Sequence, residues 1–162
     1  MGVGSLIDQT PIESAMKIMD WIIPQIDVTD DVLEAFKGDS VIYDLIPNTK
    51  DYCEIKEGRD FFTYNTKVDW IISNPPFQTK NDVGEMVNAF IPIINKSIDI
   101  CNKGFFYLIN HKLWSALTVK RLRDWESLGW VISGVFILEI KIWYGRYYIV
   151  KFEKNGKKMF QY

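Results

Sequence analysis

The sequence predicts an α/β fold: a mainly parallel sheet ending in an antiparallel C-terminal hairpin, with helices on both faces. Three observations carry this. Short apolar, β-branched runs alternate with stretches of helical periodicity through most of the 162 residues. One run, Val68 to Ile72, stops abruptly at Ser73-Asn74-Pro75-Pro76-Phe77, so the chain leaves a buried strand through a stiff turn. Finally, Trp130 to Ile142 and Tyr147 to Glu153 read as two strands joined by a link too short for a crossover.

The bulk properties narrow the class. At 48% apolar and 15% aromatic, the chain has the material for a core and is expected to form one domain over 1–162, with 1–9 flexible. A net charge of −2 excludes a protein that coats nucleic acid, leaving only a local patch for such contacts. Cys53 and Cys101 lie far apart and His111 is the lone histidine, so no metal-ligand spacing exists and no metal is expected. Two such thiols read as reduced, which with no evident signal peptide gives a cytoplasmic expectation. The longest apolar run, Trp130 to Ile140, is too short to span a bilayer and contains Glu139, so no membrane partner is expected.

In chain order, Thr10 as N-cap, Pro11 at the first helical position and Glu13 three residues beyond the cap open a helix that Pro24 ends. Val32 to Ala35 is a short strand running through Gly38 into a helical segment, Ser40 to Ile46. Strand, glycine turn and helix start together form a common way of presenting backbone N–H groups to a cofactor. Lys50 to Ile55 is a second strand, and the four residues Lys56 to Arg59 leave no room for a crossover helix before Asp60-Phe61-Phe62. Glu54, or else Glu57, falls about 20 residues past the first strand, where an acidic side chain commonly accepts from ribose hydroxyls. Beyond Phe77, Val83, Met86, Val87, Phe90, Ile91, Ile94, Ile98 and Cys101 give a helical stripe with a kink at Pro92, closed by Gly104. Phe105 to Asn110 is the next strand. Leu113 to Leu128 follows as one helix with Trp114, Leu117, Trp125 and Leu128 on a single face.

Asp69-Trp70-Ile71-Ile72-Ser73-Asn74-Pro75-Pro76-Phe77 resembles the catalytic motif of S-adenosylmethionine-dependent methyltransferases acting on planar nitrogen, the adenine-N6 DNA methyltransferases above all. Thr10-Pro11 is similar to that family's N-terminal Thr-Pro segment. Val32 to Gly38 resembles its first cofactor motif, with Glu34, Phe36 and Gly38 at the matching positions. Glu54 matches its ribose-binding acid, and Arg59-Asp60-Phe61-Phe62 its adenine-binding motif. The resemblance covers most of the chain and implies the class I methyltransferase fold, a Rossmann-like sheet. It also implies S-adenosyl-L-methionine as cofactor, contacted by Thr10, Glu34, Phe36, Gly38, Glu54, Asp60, Phe61 and Asn74. The missing second crossover helix and target-recognition domain match compact versions associated with viruses and phages. In the first motif Ala35 replaces a proline, Lys37 a small residue and Ser40 the second glycine, so Lys37 brings bulk and charge to the cofactor loop.

The implied chemistry is amine activation. If the Asn74 side-chain carbonyl and the Pro75 backbone carbonyl each accept one N–H of an adenine amine, its nitrogen is drawn toward tetrahedral geometry. Pro75 and Pro76 hold the acceptors in place, and Phe77 stacks on a base taken out of the duplex. Lys80, Lys112, Lys120, Arg123 and Arg146, with Trp143, Tyr144 and Tyr147, are candidate backbone and stacking contacts to DNA. Adenine in RNA and the glutamine amide of a protein present the same two-acceptor requirement and stay open as substrates. So does a binding module with a damaged cofactor loop. Either target specificity is low, or a partner, a homodimer, or the segment after the motif together with the C-terminal hairpin supplies it.

Overall fold

A computed structural model describes residues 9–162; the expected flexibility of 1–9 therefore concerns a stretch that lies, apart from Gln9, outside the described residues. The main sheet contains β1 (Val32–Glu34), β2 (Lys50–Tyr52), β3 (Val68–Ser73), β6 (Cys101–Asn110), β7 (Trp130–Glu139) and β8 (Arg146–Lys154). Its order is β2-β1-β3-β6-β8-β7. The first four run parallel, and β8 lies antiparallel between β6 and β7. The helices are α1 (Ile12–Ile22), α2 (Val41–Leu45), α3 (Phe90–Ile100), α4 (His111–Ser115) and α5 (Val119–Ser127).

Both sheet faces are covered, which is why Trp70-Ile71-Ile72 of β3 and Phe105 to Ile109 of β6 are buried and carry no charged side chain. Trp70 and Ile72 face one side, where Ala15, Ile18, Met19 and Ile22 of α1 and Ile42 of α2 pack with Val32, Phe106 and Leu108. Ile71 faces the other side, joining Leu33, Phe105 and Tyr107 under Ile93 and Ile94 of α3 and Trp125 of α5. Alternation along each strand thus assigns α1 and α2 to one layer and α3 and α5 to the other.

Several local expectations are corrected. Helix α1 starts at Ile12, because Pro11 is extended (φ −60, ψ 141) and makes no side-chain cap; Thr10 is therefore not the N-cap. The stripe drawn from Val83 to Cys101 is not one helix. Gln78–Lys80 (β4) and Met86–Asn88 (β5) form a separate antiparallel hairpin. The Asn81 side chain accepts from the backbone N–H of Val83 and Glu85 at 3.1 and 2.9 Å, and Gly84 supplies φ +83, so the turn overrides the apolar spacing. Val83, Met86 and Val87 are accordingly exposed. Helix α3 begins at Phe90, which places Pro92 in the first turn, where its missing N–H has no intrahelical partner to lose. No kink is needed there. Gly104 does not close the unit but lies inside β6, where any Cβ would strike the Phe152 carbonyl and the Trp70 ring. The expected helix 113–128 is two helices, the second capped by Thr118, so no single wheel applies: Trp125 is buried and Leu128 exposed. Strand β2 ends at Tyr52, well before Ile55, because Glu54 turns into a 3-10 segment, Ile55–Glu57. Strand β7 ends at Glu139 rather than Ile142.

Candidate active site

β1 is flanked by β2 on one side and β3 on the other, so the chain order reverses at its carboxyl end. Such a switch point opens a crevice where two connecting loops diverge, and ligands of open α/β sheets bind there. Glu34 ends β1 and Ser73 ends β3, which brings the glycine turn and the Asn74-Pro75-Pro76-Phe77 segment to the same crevice.

Glu34 is buried at the crevice floor, where Oε1 accepts the Ser73 hydroxyl and, at 3.2 Å, the Phe36 N–H. The Phe36 N–H also reaches Ser73 Oγ at 3.1 Å, closing a small network between the two strand ends. Burial pushes the Glu34 carboxyl up to about 8, the charge of Asp39 adds to this, and the Ser73 and Phe36 bonds act against it. Glu34 is thus a neutral acid over most of the physiological range.

The loop after β1 has the backbone of a glycine loop despite its sequence. Gly38 has φ +53, and Ser40, where the resembled motif has its second glycine, still adopts φ +73. A Cβ on Gly38 would meet nothing nearer than the Phe36 carbonyl at 4.0 Å, so the loop faces open space. Glu54 follows β2 and grips the loop, Oε2 accepting the Gly38 N–H at 2.9 Å while Oε1 takes the Lys56 N–H at 3.0 Å. Each carboxylate oxygen keeps a further lone pair for a hydroxyl. Glu57, the other candidate acid, is committed elsewhere. Its Oε1 pairs with Lys37 Nζ at 2.9 Å and its Oε2 accepts the Tyr52 hydroxyl at 2.7 Å. These partners hold Glu57 below the usual carboxylate range and raise Lys37 above its own ordinary value. Lys37 Nζ also sits 3.7 Å from the Tyr52 ring centroid, and its side chain is only 13% exposed. The expected intrusion of Lys37 into the cofactor loop is therefore corrected: its bulk is turned onto β2.

The Asp60-Phe61-Phe62 motif divides its work. The Asp60 carboxylate caps its own 3-10 turn through the Phe62 N–H at 2.9 Å. The Phe61 ring is in the core, edge-on to Phe36 with centroids 5.1 Å apart, so a ligand reaches only the backbone there. Phe62 holds the exposed ring.

At the opposite wall, the Asn74 amide donates from Nδ2 to Thr10 Oγ1 at 3.3 Å. Thr10 is 6% exposed, freed from capping by the extended Pro11. This bond engages one of the two Nδ2 hydrogens and leaves Oδ1 as the amide's acceptor end. Pro75 is buried and Pro76 exposed, and the Phe77 ring is 42% exposed beside them. The carbonyl of Phe77 accepts the Ala89 N–H at 3.2 Å, so the β4–β5 hairpin stands on Phe77 as its foot.

The candidate substrate contacts separate into groups. Lys80 lies on the hairpin. Strand β8 pairs Tyr147 with Asn110, immediately before His111-Lys112, so Arg146 and Lys112 share the carboxyl edge of β6 next to β3. Both are exposed, as is Tyr144, while Trp143 leans on Tyr147 with centroids 4.9 Å apart. Lys120 is engaged by Asp124 at 2.6 Å, and Arg121 donates to the Ala116 carbonyl at 2.7 Å. Sequence reasoning named Ser73 and Phe62 only within their motifs, without the Ser73 bond to Glu34 or the exposed Phe62 ring, and missed Tyr52 and Glu57 as the partners that turn Lys37 aside. Among the described residues no helix is long and apolar enough to cross a membrane, and no cluster of metal-ligating side chains occurs.

No protein-family model and no curated protein matches the chain. Solved structures do. A protein from Listeria monocytogenes described as a class I S-adenosylmethionine-dependent methyltransferase superposes with a TM-score of 0.72 at 12% identity, covering 99% of this chain and 66% of its own. One from Pyrococcus horikoshii, described as an RNA methyltransferase, gives 0.64 at 18% identity, covering 90% and 85% respectively. A modification subunit of a type I restriction enzyme from Vibrio vulnificus gives 0.63 at 10% identity, covering 93% of this chain and 45% of its own. The chain therefore has the class I methyltransferase fold, with a mostly parallel sheet and an antiparallel C-terminal pair.

Proposed function

We propose that this protein is an S-adenosylmethionine-dependent N-methyltransferase whose acceptor is the exocyclic N6 amine of adenine in DNA. The observation that carries the reading is the oriented Asn74 amide, held by Thr10 with Oδ1 as its acceptor end at the mouth of the crevice. An adenine amine is a poor nucleophile because its lone pair is delocalised into the ring. Two carbonyl acceptors, Asn74 Oδ1 and the Pro75 backbone oxygen, polarise its N–H bonds and localise that pair. Because Thr10 and the two prolines fix the acceptors beforehand, the gain comes from preorganised electrostatics and no general base is required.

The cofactor reading rests on fit. The open face of Gly38, the left-handed Ser40 and the spare lone pairs of Glu54 suit the adenosine and methionine ends of S-adenosylmethionine. Glu34, Phe36, Phe62 and the backbone of Asp60 and Phe61 would complete the pocket. The bound cofactor supplies an electrophilic methyl group on a sulfonium. The protein's part is to bind, to orient the amine and to keep it dry. Phe77, exposed at the acceptor motif, offers a stacking face for an extruded base, and Lys80, Lys112, Trp143 and Arg146 line the route for the strand. The Vibrio neighbour's description as a restriction-enzyme modification subunit agrees with a DNA acceptor.

The test is incubation with labelled cofactor and unmethylated DNA, RNA and protein in parallel, for the native chain and for Asn74→Ala. Label entering adenine of DNA, lost in Asn74→Ala while cofactor binding persists, is the expected outcome. Label confined to RNA or to protein amides reassigns the acceptor. Transfer that survives Asn74→Ala refutes the mechanism.

A further inference from the structure

The proposed cofactor is a cation, and Lys37 stands in the loop that would hold it. Its backbone is locked there: the Lys37 N–H donates to the Cys53 carbonyl at 3.0 Å, and its own carbonyl accepts the Ser40 N–H at 2.9 Å. Only the side chain has a choice of direction. In a loop bordering open space, a lysine ordinarily extends into solvent above the glycine turn. Here it is folded back. Its ammonium lies 2.9 Å from Glu57 Oε1 and 3.7 Å from the centre of the Tyr52 ring, while the Tyr52 hydroxyl anchors the other Glu57 oxygen at 2.7 Å.

The fold supplies both partners. β1 and β2 are parallel neighbours with Glu34 opposite Tyr52, so Tyr52 flanks the loop that leaves β1. The turn through Ile55–Glu57 then brings Glu57 back over it, with Gly58 in the left-handed conformation (φ +76) closing that turn. Arg59 covers the same ring, its guanidinium carbon 4.4 Å from the centroid, and its own charge is met by Asp51 at 2.5 Å. The tyrosine is thus a cation platform with a counter-ion provided for each cation.

We infer that Glu57 and Tyr52 form a clasp that keeps the Lys37 ammonium out of the cofactor crevice, and that Glu57 thereby sets the preference for cationic S-adenosylmethionine over its neutral demethylated product. The inference rests on the cofactor reading above and adds a residue outside the resembled motifs. Glu57 is a positioning residue, since it acts through Lys37. S-adenosylmethionine carries one more positive charge, on sulfur, than S-adenosylhomocysteine. A released lysine would swing over Gly38 and oppose that charge, leaving the neutral product nearly unaffected. Loss of Glu57 would therefore shift the pocket's relative affinity from S-adenosylmethionine toward its product.

The test measures dissociation constants for both compounds by calorimetry in the native chain, Glu57→Gln, Lys37→Met and the double variant. Thermal melts verify that all four are folded. Glu57→Gln is expected to weaken S-adenosylmethionine by about tenfold, a like charge at a half-exposed site being worth on that order, with little change for S-adenosylhomocysteine. Lys37→Met alone should stay near the native values, and in the double variant S-adenosylmethionine affinity should return. An equal loss of both ligands in Glu57→Gln, no loss of either, or failure of Lys37→Met to rescue it overturns the inference while leaving the cofactor reading intact. If the native chain binds neither compound, the cofactor reading falls and the clasp's role falls with it.

Discussion

Replacing Glu34 by glutamine should make the protein more stable at alkaline pH, although it deletes a hydrogen-bonded acid from the centre of the crevice. Glu34 is 1% exposed, and its carboxyl is raised from 4.5 to about 8, chiefly by burial. Between those values the folded chain holds a proton that the unfolded chain has released. The unfolded state therefore binds fewer protons, and stability falls as pH rises through the window, levelling off above about 8. At a little over ~1 kcal/mol per pH unit, the window is worth roughly 5 kcal/mol at most. Glutamine keeps the oxygen that accepts from Ser73 and Phe36 and cannot ionise. Urea unfolding at about pH 5, 7 and 9 would compare the two chains. The curves should nearly coincide at the acid end, and the variant should lead by roughly 3–5 kcal/mol at the alkaline end. Parallel pH dependences, or a variant weaker at alkaline pH, would refute the assignment of Glu34 as a buried neutral acid.

Three shorter tests follow from other parts of the structure. Thr10→Val preserves shape but removes the hydroxyl that accepts from Asn74; methyl transfer should drop about tenfold in kcat, and an unchanged kcat would contradict it. Gly104→Ala forces a methyl group into the Phe152 carbonyl and the Trp70 ring, and should cost about 2–3 kcal/mol in denaturant unfolding; a neutral result would mean that β6 and β8 shift apart easily. Ser40→Gly relieves a left-handed serine and should add up to ~1 kcal/mol of stability, read as a raised melting temperature, whereas a drop would show that the Ser40 side chain stabilises the loop.

What the sequence disclosed and what it concealed divide along a physical line. Buried strands announce themselves, because Trp70 to Ile72 of β3 and Phe105 to Ile109 of β6 are covered on both faces and hold no charge, and the switch-point crevice follows from the strand order. Apolar spacing misled where burial was absent. Val83, Met86 and Val87 imitate a helical stripe, yet Asn81 and Gly84 between them were a turn signal of greater weight. The cap at Thr118 was equally legible, and it splits the helix expected over 113–128. Thr10 is a different case. Local rules favour a capping threonine before a proline, but the competing partner, Asn74, is 64 residues away, and no window of sequence contains it. Lys37 is the same problem in electrostatics. Read along the chain it is a foreign charge in a cofactor loop, whereas the parallel pairing of β1 with β2 sets Tyr52 and Glu57 beside it. Its departure from the resembled motif is therefore no measure of damage. The tertiary partner that neutralises Lys37 decides whether the loop still works, and that partner lies 20 residues downstream on a neighbouring turn.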